Sequence, residues 1–309
     1  MEVAGAIEEQ RPPLAYRLQS TEVFVPAGIR RIACEQLDKA LAPIVTQDAE
    51  GAIHDVRTRC KKLLGLLRIV QPNLSEFRSE SHAFRDIAGH LSDLREAKVL
   101  QDTYDRLLER RHNGIDRRAL GQIRRRFTLE HTELRSRVDL AARFAECRED
   151  LAAARDRAGE WTIARDGWSA VGPGLTRTYT RARSAARNAR EEGTAEAWHE
   201  LRKQLKYHYF HTLLLRRIWP REMRVRAGVA ARATDLLGQH HDLAVFKSRL
   251  IDDRFSGDLV IAELALGLAT KGQQVLLSQA GPLIGRLLAE KPRPLARNWR
   301  ALWENSFNQ

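Results

Sequence analysis

Three cysteines in 309 residues, scattered at positions 34, 60 and 147, are too few and too irregular for a disulfide framework or a zinc-binding spacing. Long apolar runs are missing as well, and none reaches the roughly 18 residues needed to span a bilayer. The opening MEVAGAIEEQRPP has neither a basic start nor an apolar core, so no secretory leader is expected and a soluble cytoplasmic protein is predicted. No stretch alternates apolar and polar residues as a half-buried strand does. Chemistry-bearing motifs are scarce too. There is no Gly-rich phosphate loop, no serine elbow, no paired-carboxylate arrangement and no Glu-x-Glu-x-Lys of the triphosphate tunnel enzymes. Lysine is rare: of 52 basic residues only 9 are Lys, against 43 Arg.

What is present is a globular, strongly basic chain. Hydrophobic residues make up 43% of it, enough for a packed core, and the net charge is +12. Such a balance points to a polyanionic partner or an anionic surface. The arginine bias favours phosphate, because a planar guanidinium engages two phosphate oxygens at once. GC-rich coding would raise arginine equally, so composition alone does not decide.

The stretch Ala197 to Phe210, AWHELRKQLKYHYF, contains no Pro or Gly and reads as helix. At 100° per residue His199, Arg202, Lys203 and Lys206 fall on one side, beside an apolar stripe of Trp198, Leu201, Leu205 and Tyr209. Glu200 is the single acid among these bases and is expected to point elsewhere. A solvated charge run is the bland alternative, but the pattern recurs. About 145 residues earlier IHDVRTRCKKLLGLLR places His54, Arg57 and Lys61 in the same order, with Lys62 adjacent and Arg68 continuing the stripe. The flanks match too: Gly28 to Arg31 with Gly174 to Arg177, and Leu91 to Val99 with Leu237 to Val245. Three co-linear blocks indicate a tandem duplication, which sets matched helices about a pseudo-twofold axis.

An all-α chain of about four helices per half is predicted. Residues 1–25 form an N-terminal extension with a short apolar patch at Val23–Val25, and 26–158 form the first half. The Gly- and Trp-rich stretch 159–173 links it to a second half over 174–309. In the first half, helices are expected from Pro26 to about Ala42, over 48–70, over 74–112 (one, or two joined near Gly89), and from 115 to 158. In the second they are expected near 174–192, 195–218, 221–250 and 258–290, with a short one after Pro294.

Metal readings fare poorly. Glu196-x-x-His199 has the spacing of di-iron bundles, but such sites need it twice and the first copy offers Gly51. His240, His241 and Asp242 are sequential and do not share a helix face. His208 and His211 lie off the basic stripe and are expected to pack in the core. No metal or cofactor is expected, therefore, and what remains is a binding constellation. Histidine on a crowded basic face leans toward its neutral form, and its ring N–H still donates to phosphate. Arg177, Arg181 and Arg183 on the preceding helix, and Arg31 in the first half, would widen the track. Aromatic residues do not alternate with the bases, so base stacking is not indicated.

His-x-x-Arg-x-x-x-Lys occurring twice, each followed some 40 residues on by L-x-x-x-[RH]-[ED]-x-x-V, resembles the CHAD domain, the conserved histidine α-helical domain. The likeness runs from about Tyr16 to Trp303, and the second copy is the closer match. The resemblance implies two four-helix bundles related by a pseudo-twofold, with a basic central cavity that binds inorganic polyphosphate. It implies residence at polyphosphate granules, and at this length the triphosphatase domain often fused to such proteins is not expected. It also brings Arg95 and His241 into the site through the shorter motif. Leu64 and Tyr207 stand where the family usually has further arginines, which implies a weaker or differently shaped site. The expected function is thus non-enzymatic polyphosphate binding centred on His54, Arg57, Lys61, His199, Arg202, Lys203 and Lys206. A nucleic-acid binder using the same face is the leading alternative. A polyphosphate hydrolase is disfavoured, because no acid on the stripes would position a divalent ion or a water.

Overall fold

Leucine, alanine and arginine recur at helical spacing along the chain, and the computed structural model shows the result. It describes residues 16–19, 22, 24–46, 48–109, 117–252 and 259–307. Residues 1–15, and Val23 of the Val23–Val25 patch, lie outside the described residues. Helices α1 (Val25–Thr46), α2 (Ala49–Val70), α3 (Phe77–Gly89), α4 (Ser92–Glu109), α5 (Arg117–Arg137) and α6 (Leu140–Gly159) come first. They are followed by α7 (Gly167–Glu192), α8 (Ala195–Leu214), α9 (Pro220–Ile251), α10 (Leu259–Leu287) and α11 (Pro292–Phe307). Short 3₁₀ turns at Gln71–Asn73 and Arg216–Ile218 close α2 and α8. Among the described residues there is no strand, and no helix is long and apolar enough to cross a membrane.

Among the described residues the first half holds six helices in place of four, because the stretch over 74–112 is two helices joined near Gly89, one of the two forms expected, and the stretch from 115 to 158 is split; α7 to α11 match the five expected of the second half. The stretch over 74–112 breaks after Gly89, where the Ser92 hydroxyl donates to the Gly89 carbonyl at 2.8 Å. The stretch from 115 to 158 breaks at Asp139, whose carboxylate accepts from the Ala142 N–H at 2.9 Å and so starts α6. The other difference lies in the Gly- and Trp-rich stretch, where α7 begins at Gly167 and runs straight through Pro173. Proline cannot donate to the carbonyl four residues back. Here that carbonyl, of Ser169, accepts from the Asn73 side-chain amide at 3.0 Å, and the same amide reaches the Ala170 carbonyl at 3.1 Å.

The neighbours of each helix recur in order along the chain. α1 lies against α2 and α6, as α7 lies against α8 and α11; α4 lies against α5, as α9 lies against α10. Contacts of α2 with α7 and α8, and of α4 with α9, tie the first set of helices to the second. Two glycines permit the closest of these approaches. A Cβ on Gly174 would sit 1.9 Å from the Ile69 carbonyl oxygen, and one on Gly65 would sit 2.8 Å from the Phe210 ring. Asp166 joins the starts of two helices, its Oδ1 accepting from the Gly167 N–H of α7 at 2.7 Å and from the Val25 N–H of α1 at 2.8 Å. Trp161, Tyr179, Phe84 and Trp299 are among the largest fully buried side chains of the continuous core.

Candidate functional site

The apolar face of α2, with Val56, Cys60, Leu63 and Leu67, is fully buried, which fixes where its basic face looks. Leu201 and Leu205 anchor α8 in the same way. Between the two helices, with α4 and α9 as the other walls, lies a cavity of about 540 Å³. From α2 it is lined by His54, Arg57, Lys61 and Lys62, and from α8 by Arg202 and Lys206. Arg95 and Arg106 enter from α4, and Arg232 with Asp235 and Asp242 from α9. Eight Arg or Lys side chains therefore face two carboxylates, and one of these, Asp242, is held by Arg106 at 3.1 Å.

The crowding is felt electrostatically. Lys61 keeps surface open to the cavity, yet the protein around it strips away much of its hydration. Its ammonium is pulled down to about 8 by this burial and then by Arg202, Arg57, Lys206 and Arg95. Lys62 falls to about 8 as well, from burial and from Arg59 and Lys39. Burial also lowers Lys206 and Arg202, with Asp235 partly compensating both. The Nε donor of Arg202 is buried without a protein partner. Arg57 is fixed by donating to the Ala88 carbonyl at 2.6 Å, near the end of α3. Lys206 Nζ sits 4.9 Å from the centre of the Tyr209 ring and 5.6 Å from that of Phe210, so these two rings are faced by a cation.

The other candidate residues lie elsewhere. His199 and His241 lie against each other with ring centres 4.0 Å apart and planes tilted by 34°, beside Arg202 but not among the lining residues. Burial, then His241 and Arg202, holds His199 down at about 4, and burial with Arg202 lowers His241 too, so both are neutral at pH 7. Lys203 points away to an ion pair with Glu200 at 2.5 Å; the acid expected to stand apart from the stripe is thus engaged with one of its bases. Arg31 is held by Glu22 and Glu35 at 2.5 and 2.7 Å. Arg183 donates to the carbonyls of Leu288 and Glu290 beyond the end of α10 and acts as a C-terminal cap. Arg181 lines a separate cleft with Arg68 and Glu200, and Arg177 is exposed beside it. His208 and His211 are fully buried: His208 accepts from Arg226 at 3.0 Å and His211 bonds the Gly65 carbonyl at 3.0 Å. Among the described residues no group of three or more His, Cys, Asp or Glu converges as metal ligands would.

A family model described as the CHAD domain matches residues 29–251, a span that contains α2, α4, α8 and α9 and hence every wall of the cavity. The chain belongs to the CHAD family. The matched span is shorter than the stretch from Tyr16 to Trp303 over which the motifs suggested a likeness, and it ends before α10 and α11. Among solved structures, the CHAD chain is similar to PptA from Streptomyces chartreusis, with a TM-score of 0.57 and 16% identity over 86% of this chain and 98% of that one. At that identity the likeness speaks for the fold alone. No curated protein matches.

Proposed function

We propose that this CHAD chain binds inorganic polyphosphate in the cavity between α2 and α8, as a binding module and not as an enzyme. The observation that carries the reading is the convergence of the duplicated motif: His54, Arg57 and Lys61 of one copy and Arg202 and Lys206 of the other line the same cavity. Cations crowded at this density, one with an unpartnered buried N–H, are a poor arrangement until an anion with many oxygens joins them. In this reading the halves are related by a pseudo-twofold, which the repeated blocks and the recurring helix neighbours support. Polyphosphate is preferred over nucleic acid because the two rings in the cavity face Lys206 and offer no stacking ladder for bases. Catalysis of the metal-assisted kind would need acids grouped to hold a divalent ion and a water, whereas of the two carboxylates lining the cavity Asp242 is committed to Arg106, which leaves Asp235 alone among eight bases. In this reading the module resides in the cytoplasm, at polyphosphate granules.

The test is a paired charge reversal. Arg202→Glu with Lys206→Glu removes two charge-assisted contacts of roughly 1.5–3 kcal/mol each. At about 1.4 kcal/mol per tenfold, polyphosphate affinity should fall a hundredfold or more. Arg216→Glu with Arg217→Glu alters net charge equally on the turn beyond α8. Equal losses from both pairs would mean that only net charge matters, and the assigned cavity would be wrong.

A further inference from the structure

Beside the cationic cavity lies a second, smaller one of about 160 Å³, between α4, α9 and α10. Its walls are more apolar than those of the first: Leu107, Leu243, Leu268 and Val275 line it together with Thr103, Arg106 and Lys271. The two cavities share Arg106 and Gln239, so they meet along one wall. Arg106 is fixed on that wall, with Nη2 donating to Thr103 Oγ1 at 3.0 Å and to Asp242 at 3.1 Å. Gly272 forms part of the slot. A Cβ there would come within 3.1 Å of Leu243 Cδ1, so a larger side chain would narrow the space.

We infer that the paired cavities take a nucleoside oligophosphate, the base seated in the Leu107–Leu243–Leu268 slot and the phosphates among the cations across Arg106. Volume limits the organic group, since a slot of about 160 Å³, open on one side, takes a flat aromatic group and has no room for a long acyl chain. Chemistry selects it further. A nucleobase carries an edge of donors and acceptors, and the slot supplies the Thr103 hydroxyl and the Lys271 ammonium among its apolar walls. The shared guanidinium puts a phosphate-binding group at the junction of the two spaces. The inference rests on the cationic cavity being an anion site, and it names the end group such an anion would carry.

Calorimetric titration of the full chain with ATP and with inorganic triphosphate tests it. Inorganic triphosphate carries the greater negative charge, so charge alone predicts that it binds at least as tightly. The slot instead predicts ATP about tenfold tighter, the scale of burying one ring. Gly272→Leu should abolish that advantage and leave inorganic triphosphate unchanged. Val275→Phe, at an exposed position on the rim, should do the same and guards against a folding defect from the first variant. ATP binding no tighter than inorganic triphosphate overturns the slot while leaving the polyphosphate reading intact. Geranyl diphosphate outcompeting ADP also overturns it, in favour of an aliphatic group. If inorganic triphosphate, ATP and long-chain polyphosphate all fail to bind, the anion site itself is wrong and the slot falls with it.

Discussion

Lys61 is a cation surrounded by cations, and its titration carries a sign that can be tested. Its pKa is about 8 in the folded chain, set by burial and four neighbouring bases, against 10.5 for an ordinary lysine. A cationic group with a depressed folded-state pKa opposes folding while it is protonated. The full penalty stands below about pH 8 and fades as pH rises toward the unfolded value, where both states are neutral. Lys61→Met should therefore raise the melting temperature at pH 7, and the gain should shrink between pH 8 and 10.5. The same change should weaken polyphosphate binding by ten- to a hundredfold, the effect of one charge-assisted contact. A variant that loses both stability and binding would mark Lys61 as structural. The repeated motif made Lys61 and its partners legible in the sequence, because matched positions stand out from ordinary charge runs. It concealed Arg106 and Arg232, whose counterparts one repeat away are Asp252 and Asp86. For Arg106 a signal existed: it follows Arg95 by three helical turns on α4 and so shares its face. Arg31, Arg183 and Lys203 show the converse. Position on a basic stripe does not reveal that a carboxylate or a row of backbone carbonyls already occupies the side chain.

At the scale of single helices, the sequence located most boundaries to within a few residues and failed where a distant side chain intervened. Pro173, with the glycines around it, reads as a break, yet α7 continues because Asn73 supplies the donor that proline lacks. No local pattern could reveal this, since the donor comes from about a hundred residues away. The break at Asp139 has a local cause, an aspartate cap diluted within a long charged helix, while the join near Gly89, where Ser92 caps, is one of the two forms the sequence suggests. The Asn73 contact predicts a specific coupling. Asn73→Ala should cost about 1 kcal/mol of stability through the Ser169 carbonyl left unpaired. In a Pro173→Ala background, where the backbone again supplies an N–H, most of that cost should vanish. Denaturant unfolding of the four proteins measures it as a double-mutant cycle, and additive effects would show that the amide does not substitute for the missing donor.

Across the whole molecule, a net charge of +12 carried mostly by arginine will attract any polyanion, so specificity has to be read against salt. If about six bases in the cavity contact phosphates, log K should fall with log salt at a slope near that of a nucleic-acid contact of the same size, roughly 0.7–0.9 per phosphate. Polyphosphate should displace bound DNA at far lower total charge than DNA displaces polyphosphate, and parity between the two would favour the nucleic-acid alternative. Asp166 bears on how the chain opens. One carboxylate oxygen holds the first amides of α1 and of α7, two helices that begin matched blocks of the repeat yet lie 141 residues apart in sequence. A break at that oxygen frees both helix starts in the same event. Their amide protons should accordingly exchange with solvent at closely matched rates, and Asp166→Ala should quicken both together. Two helix starts far apart in sequence would then fray as one unit, on one clock.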